Sequence, residues 1–484
     1  MKKISFKRPS ASPDRNRNAL RGGSYSLTIT DIVLAILIAV NVFASALPKS
    51  MTNYDISSSK LYSITSNTKV VVNNLQQDVT IYWVVQSGEE NDVIENLLSK
   101  YESLSDHIAV VKKNPDVYPT FTQQYTSESV PNNSLIVESG ERSRYISYND
   151  IYVQTADMYS YSYSTSFDGE GAITSAIDYV VNEEQPKLYL MEGHGEADLP
   201  STFAEQVEKD NIETESLSLL HTETIPEDAD CLMIYAPESD LSEDEQNLLA
   251  DYVAGGGKLL VVAGPTRENG ILENLYSLLS DYGVEPAEGI VVESDSNYYS
   301  AFSGPAALLP QLHSDDITDS LIDSNYSVIM PIALGLIVDD SASGAVTELL
   351  TTSDTSFSKT AGYAMETYDY EDGDIDGPFA TGVSVRPGDG EMVWFTSSYF
   401  LEDAYNASSS GANGDLVMNA LADMIGESEA MAIRSKSLNY DYLSISGSTA
   451  SLLKVLMIGA FPLAYLGIGV GVVLTRRRKQ NEAV

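Results

Sequence analysis

Hydrophobic residues form two long stretches, one near each end of the chain. Residues 27–47 contain Asp31 and Asn41 as their only strongly polar residues, and residues 455–474 contain no charged residue. An α-helix rises about 1.5 Å per residue, so roughly 20 apolar residues cross the hydrocarbon core of a bilayer. The pattern therefore predicts two transmembrane helices, over residues 27–47 and 452–474.

Between these stretches, short apolar runs alternate with segments of helical periodicity. Strands that alternate with helices are typical of α/β folds with a parallel sheet. Ser242 and Glu245 have the spacing of a helix capping box. The predicted elements, in order, are strand 79–85, helix 91–104, strand 107–111, a hairpin around residues 139–141, helix 169–182, strand 187–191, helix 201–209, strand 231–236, a helix after 242 and strand 258–263.

The predicted fold class is α/β, with two transmembrane helices that flank a large extracytoplasmic region. The order of elements resembles a flavodoxin-like or class I amidotransferase-like parallel sheet, accompanied by a smaller α+β domain. The predicted division is a basic tail (1–26), a transmembrane helix (27–47), an N-terminal extracytoplasmic α/β domain (48–185), an amidotransferase-like α/β domain (186–300), the C-terminal part of the extracytoplasmic region (301–451), a transmembrane helix (452–474) and a basic tail (475–484).

Charge sets the predicted orientation of these segments. The chain has 28 Lys and Arg residues against 70 Asp and Glu residues, yet seven basic residues precede residue 22 and four follow residue 475. Basic residues that flank membrane spans stay in the cytoplasm, so both termini are predicted to be cytoplasmic in a two-pass cell-membrane protein. A cleaved signal peptide ending near Ala44-Ser45-Ala46 is the alternative. The acidic middle region repels phosphate backbones and argues against nucleic-acid binding.

A Gly-rich turn follows the predicted strand 187–191 and provides the candidate ligand-binding site. It consists of Glu192, Gly193, His194, Gly195 and Glu196. Loops at the carboxyl ends of α/β strands commonly bind ligands, and His194 with its two glutamates could act as an acid and base or hold a metal. Three alternating polar residues are not a ligand set by themselves, and glycines that permit a tight turn also explain the sequence.

Two other catalytic hypotheses fail on their context. An amidotransferase requires a cysteine at a strand-to-helix elbow, whereas Cys231, the only cysteine, begins a predicted buried strand. Residues 255–258 separate a helix from a strand and lack the Walker A spacing, so a helix C-cap is the preferred interpretation. The sequence therefore predicts a protein that is not an enzyme and requires no cofactor.

Acidic residues suggest a metal site in the last third of the chain. Asp372, Asp374 and Asp376 resemble the first half of a calcium loop, but Val383 stands where a full loop has Glu. An acidic turn is the alternative.

Small and polar residues in the two apolar stretches suggest helix packing. Gly467 and Gly471 are one helical turn apart, and small residues at this spacing allow a second helix to approach closely. With Asp31 and Asn41, they predict packing against helices of a membrane partner. For Asp31, contact with lipid headgroups is the alternative.

The segment after the first apolar stretch carries a family resemblance. Asp55-Ile56-Ser57, then Leu61-Tyr62-Ser63-Ile64-Thr65 with Thr68, then Leu75, Val79 and Tyr82 resemble the GldG-like auxiliary components of ABC-type transport systems. The Gly-His-Gly-Glu turn at 193–196 and the Gly-Pro-Phe step at 377–379 match the same family. The resemblance implies a non-catalytic component that guides cargo and associates with a permease and a cytoplasmic ATPase. The alternatives are a surface structural or adhesive protein and an extracellular hydrolase using His194.

Overall fold

The computed structural model describes residues 31–40, 42, 63–157, 162–220, 224–268, 270–339, 345–426, 436–437, 457–458 and 461–481. Two lobes make up most of this part: an N-terminal lobe within residues 63–181 and a main lobe within residues 187–426. The lobes contact each other along one helix and one sheet edge, and the candidate site lies at that junction.

The N-terminal lobe begins with the predicted strand–helix–strand unit, which the structure confirms. Its elements are α1 (Ser66–Asn73), β1 (Val79–Val84), α2 (Asp92–Leu104), β2 (Ile108–Lys113), β3 (Ser134–Ser139), β4 (Arg142–Ile146), α3 (Tyr148–Ile151), β5 (Tyr152–Asp157), β6 (Ser162–Phe167) and α4 (Gly169–Val181).

The sheet of the N-terminal lobe has the order β2-β1-β3-β4, so β4 is an edge strand. Strand β1 is parallel to β2 and antiparallel to β3. Helix α4 packs on β3 and β4 through Ile173, Ile177 and Val180, which are buried in one apolar core with Trp83 and Tyr101. Most other side chains of α4 are also buried, because its opposite face meets the main lobe.

The main lobe alternates strands and helices in its first half and is rich in strands afterwards. Its elements are β7 (Lys187–Met191), α5 (Ser201–Lys209), β8 (Glu213–Leu217), β9 (Cys231–Tyr235), α6 (Glu243–Ala254), β10 (Lys258–Val262), α7 (Glu273–Ser280), β11 (Val284–Ala287), β12 (Ile290–Glu293), β13 (Ala307–Leu308), β14 (Gln311–Leu312), α8 (Asp319–Asp323), β15 (Met330–Pro331), β16 (Gly335–Val338), β17 (Val346–Thr351), β18 (Ser356–Lys359), β19 (Ile375–Asp376), β20 (Ala380–Val385), β21 (Glu391–Phe395), α9 (Asp403–Ser408) and α10 (Ala412–Ile425). Beyond it, β22 (Lys436–Ser437) pairs with β6, and α11 spans Phe461–Asn481.

A ten-stranded mixed sheet forms the centre of the main lobe, in the order β11-β16-β20-β21-β10-β9-β7-β8, with β17 beside β20 and β14 beside β17. The strands from β21 to β8 are parallel, and β20 is antiparallel to β21. Because β21 pairs directly with β10, residues 186–300 and the following region share one sheet. The mixed α/β class agrees with the predicted parallel sheet.

Apolar cores cover both faces of this sheet, which explains why its central strands are continuous hydrophobic runs. Every residue of β9 is buried, including Cys231 at 0% exposure. Burial raises the pKa of the Cys231 thiol, so the thiolate needed for nucleophilic chemistry is disfavoured. The predicted capping box of α6 is present, with Ser242 and Glu245 bonded reciprocally.

The prediction of two transmembrane helices is wrong. Among the helices of the described ranges, none is both long enough and apolar enough to cross a bilayer. In the first apolar stretch, the described residues 31–40 and 42 are helical. Helix α11, described over Phe461–Asn481, includes the basic residues 476–479. The two membrane spans in the predicted fold class are therefore wrong. The two-pass membrane location that was inferred from them is wrong for the same reason.

The residues predicted to pack against membrane partners lie on these helices. Asp31, Gly467 and Gly471 are exposed, whereas Asn41 is outside the described residues. Packing of these residues against partner helices stays a prediction.

Candidate ligand-binding cleft

The Gly-His-Gly-Glu turn begins directly after β7, at the carboxyl edge of the parallel sheet. Gly193 has φ +132° and Gly195 has φ +79°, values that L side chains rarely adopt. Glycine lacks a Cβ and populates this region without steric cost. The two glycines therefore let the chain turn sharply on either side of His194.

His194 is buried and held on several sides. Its Nε2 atom lies 3.2 Å from Glu245 Oε2, and its Nδ1 atom lies 3.5 Å from Glu196 Oε1. Its backbone N–H donates to Glu196 Oε2 at 2.7 Å, and its carbonyl oxygen accepts N–H bonds from Glu238 and Ser239. These contacts fix the turn to the start of helix α6.

Glu245 joins the turn to the helix. Its Oε2 atom accepts hydrogen bonds from the N–H and the hydroxyl of Ser242 at 2.9 and 2.7 Å. Burial favours a higher pKa for Glu245, but the Ser242 bonds and the His194 contact outweigh it, and the pKa lies below its usual value. A carboxylate is therefore the stable partner of His194.

This arrangement does not present His194 to a substrate. His194 is 5% exposed and is not among the residues that line the neighbouring cleft, whereas Gly193, Gly195 and Glu196 are. In the described ranges, no group of three or more His, Cys, Asp or Glu residues is arranged to hold a metal ion. The geometry favours a structural role for His194 within the turn.

A cleft of about 1050 Å³ opens beside the turn, between the two lobes. The main lobe contributes the end of β7, the turn, helix α5 and strand β8. The N-terminal lobe contributes Ser143, Arg144 and Tyr145 of β4 and Tyr179 of α4. Open α/β sheets bind ligands outside the carboxyl ends of their strands, and this cleft has that position.

The cleft is rich in hydrogen-bond acceptors. Its basic side chain, Arg144, is engaged by Asn211 Oδ1 and by the Glu208 carbonyl oxygen. Three buried atoms that border the cleft, Tyr145 Oη, Gln185 Oε1 and Glu196 Oε1, have no hydrogen-bond partner in the described structure. The carboxylates that line it are those of Glu192, Glu196, Asp198, Glu208 and Glu213.

A polar junction under the cleft joins the lobes. Lys209 of α5 contacts Asp168 at the start of α4, and the Ser175 hydroxyl donates to the Lys209 carbonyl oxygen. The Asn211 side-chain amide donates to Ser175 O at 2.9 Å and to Asp178 Oδ2 at 3.1 Å. No sequence pattern indicates this junction, because its members are separated along the chain and form no motif.

Asp210 lies in the same junction. Burial raises the pKa of Asp210 to about 7, with the charges of Asp415 and Asp178 acting in the same direction and those of Lys209 and Arg144 opposing it. The junction therefore contains a carboxyl group that titrates near neutral pH.

The segment that carries the family resemblance docks onto the N-terminus of α4. Glu170 Oε1 accepts hydrogen bonds from the Thr65 N–H at 2.6 Å and from the hydroxyls of Thr65 and Thr68, both at 2.8 Å. The Thr68 hydroxyl also contacts Thr174 Oγ1, which bonds Tyr101. The Thr-x-x-Thr spacing thus fits a buried carboxylate, while Asp55, Ile56 and Ser57 lie outside the described residues.

The acidic loop of the calcium hypothesis surrounds a lysine. The Lys359 ammonium lies 2.9 Å from Asp374 Oδ2, 2.5 Å from Glu371 Oε2 and 2.9 Å from the Asp369 carbonyl oxygen. Asp372 and Asp376 are exposed beside it. An internal cation therefore occupies the place beside Asp374, and this loop has the geometry of an acidic turn around Lys359.

Comparison with known families gives two matches. Residues 185–420 match a family described as "ABC-type uncharacterized transport system", and residues 58–154 match a domain of unknown function. The first match supports an ABC-transport auxiliary family and an auxiliary role in such a transport system. Comparison with curated proteins finds no significant match.

Three of the solved structures that resemble parts of this chain are distant from it in sequence. The N-terminal domain of mmIFT52 shares 14% identity over 49% of this chain and 97% of its own, with a TM-score of 0.38. A putative GMP synthase protein from Thermoplasma acidophilum shares 11% over 51% and 96%, with a TM-score of 0.29. A glutamine amidotransferase from Thermotoga maritima shares 8% over 50% and 99%, with a TM-score of 0.30. These scores carry no argument about function.

Proposed function

We propose that the chain is a GldG-like, non-catalytic auxiliary component of an ABC-type transporter, and that the cleft between its lobes receives the cargo. The observation that carries this proposal is the position of the cleft. It lies at the carboxyl edge of the parallel sheet, next to the Gly-His-Gly-Glu turn, and most of its lining residues fall within the region that matches the transport family. Large clefts with a few convergent polar groups are the usual form of ligand sites.

The proposed partners are a permease and a cytoplasmic ATPase, since an auxiliary component acts together with the proteins that move cargo and hydrolyse ATP. Affinity purification of the tagged full-length chain from its own cells tests this association. We expect an ABC-type ATPase and a multispan permease to co-purify in constant proportion. Recovery of the chain without either of them would contradict the proposal and favour the structural or adhesive alternative.

The hydrolase alternative depends on His194. Because its imidazole is enclosed by Glu196 and Glu245, catalysis on a cleft-bound substrate would require the turn to open. A comparison of His194→Gln with the wild-type chain, by co-purification and by stability, separates the two functions. We expect His194→Gln to lower stability and to leave the association with the permease and the ATPase intact wherever the chain remains folded.

A further inference from the structure

Two open sheet edges border the cleft. Strand β8 ends the main sheet and pairs with β7 alone in the described structure, and β4 ends the N-terminal sheet in the same way. The cleft touches Ser143, Arg144 and Tyr145 in succession on β4, and Glu213, Thr214 and Ser216 on β8. The side chains of successive strand residues point to opposite faces of the sheet. A cavity that contacts consecutive residues of one strand therefore reaches around the edge of that strand.

The backbone pattern of β8 identifies the groups at its open edge. The Glu213 N–H donates to Pro186 O at 2.8 Å, and the Glu192 N–H donates to Leu217 O at 2.8 Å. In a parallel ladder, residues alternate between the two sides of the strand. Glu213 and Leu217 therefore face β7, whereas Thr214 and Ser216 direct their N–H and C=O groups into the cleft.

The charges around this edge favour a cationic ligand. Glu192, Glu208 and Glu213 line the cleft, and the guanidinium of Arg144 is already engaged by the protein. The Glu196 side chain is only 6% exposed, and its Oε1 atom accepts no hydrogen bond in the described structure, although it lies 3.5 Å from His194 Nδ1. A ligand that supplies positive charge and hydrogen-bond donors complements these groups.

We propose that the cleft binds an extended peptide segment bearing Lys or Arg side chains, which adds as a strand to the open edge of β8. Backbone groups of Thr214 and Ser216 supply the main-chain pairing, and the cleft carboxylates select the basic side chains. This inference rests on the proposed function, because it names the chemical class of the cargo. Two other ligand classes meet only part of these requirements. A small polyamine carries positive charge but has no peptide backbone, and an oligosaccharide has hydrogen-bond donors but no positive charge.

The test uses the purified full-length chain and a fluorescein-labelled heptapeptide, Lys-Thr-Lys-Val-Lys-Thr-Lys, in an anisotropy titration. One control peptide carries N-methyl groups on alternate residues, which removes strand pairing and keeps the charge. A second control has Glu at every Lys position. We expect saturable binding of the parent peptide and at least about tenfold weaker binding of both controls, as expected when hydrogen bonds and charge pairing are lost.

A matched pair of protein variants tests the edge itself. Thr214→Pro removes the N–H that faces the cleft and leaves the bonds of Glu213 to β7, because proline is tolerated where an edge N–H points outward. Thr214→Val keeps the N–H and removes only the hydroxyl. We expect Thr214→Pro to weaken peptide binding by about tenfold and Thr214→Val by less than about threefold, with unfolding temperatures compared as a check on the fold.

Several results would overturn the inference. N-methylated peptide that binds as tightly as its parent, or Thr214→Pro that binds like wild type, would exclude strand addition. Displacement of the peptide by spermine, together with tight binding of N-methylated peptide, would assign the cleft to small polyamines. If the peptide does not bind but the ATPase and permease still co-purify, only the inference that the ligand is a peptide is refuted. If the peptide does not bind and neither protein co-purifies, the proposed function is refuted as well.

Discussion

Nε2 of His194 lies 3.2 Å from Oε2 of Glu245, which links the turn after one strand of the main sheet to the first turn of helix α6. Glu245 is at the same time the capping-box residue of that helix. A single carboxylate therefore stabilises both the helix start and the loop that borders the cleft. This relationship joins the turn, which borders the cleft, to helix α6.

Replacement of His194 by Ala is expected to destabilise the main lobe by about 2–3 kcal/mol, because the carboxylates of Glu196 and Glu245 lose the ring between them. Urea unfolding of the full-length chain measures the change. Glu192→Gln is the matched control, since Glu192 is exposed in the same loop. Equal stability of His194→Ala and wild type would show that the ring does not hold the turn.

Thr68→Val is expected to destabilise the N-terminal lobe by about 1–2 kcal/mol, because a buried carboxylate oxygen of Glu170 loses a hydrogen bond without a change in side-chain shape. A double-mutant cycle with Glu170→Gln measures the coupling directly. Lys69→Gln, exposed on the same helix, serves as the control. Independent effects of the two substitutions would contradict the docking described for this segment.

The raised pKa of Asp210 predicts that the free energy of unfolding depends on pH. Its pKa is raised to about 7 by burial, so the folded chain binds more protons than the unfolded chain between about pH 4 and 7. This contribution is fully present at low pH and is lost as the pH rises through that window. Asp210→Asn should therefore gain more thermal stability relative to wild type at pH 8 than at pH 5.

Glu205→Gln is the control for this pH dependence. Glu205 is exposed on helix α5, which ends at Lys209, immediately before Asp210. We expect its difference from wild type to be the same at both pH values. A difference between Asp210→Asn and wild type that does not change with pH would contradict the raised pKa.

Calcium is expected to leave the unfolding temperature of the wild-type chain unchanged, because the Lys359 ammonium already lies beside Asp374. Lys359→Met should lower that temperature, since it leaves the Asp374 carboxylate buried without its cation. Calorimetry in millimolar calcium and in chelator measures both effects. Stabilisation of the wild-type chain by calcium would show that the acidic loop binds the ion despite Lys359.

The sequence predicted the elements whose residues are neighbours in the chain. The βαβ start of the N-terminal lobe, the alternation through β7, β9 and β10, and the Ser242–Glu245 capping box follow from local periodicity and spacing. The Gly193–Glu196 turn was found because glycine marks positions that need positive φ. Local chemistry was therefore sufficient for these features.

Features made by distant residues could not be predicted in this way. Glu391–Phe395 inserts beside β10, and Arg144 meets Asn211 across the cleft, although no sequence pattern connects either pair. Hydropathy was also misleading, because an apolar run gives a composition but does not fix where its helix starts or ends. Helix α11 shows this, since it continues into basic residues.

The claim that the cleft receives cargo is tested most directly by photo-crosslinking in the protein's own cells. A photoreactive phenylalanine analogue is placed at Thr214, in the cleft, and in a second strain at Phe302, which is 97% exposed outside it. We expect Thr214 to capture a discrete set of peptides or proteins rich in basic residues, and Phe302 not to capture that set. Identical captured species at both positions, or none at Thr214 while the ATPase and permease still co-purify, would contradict the account.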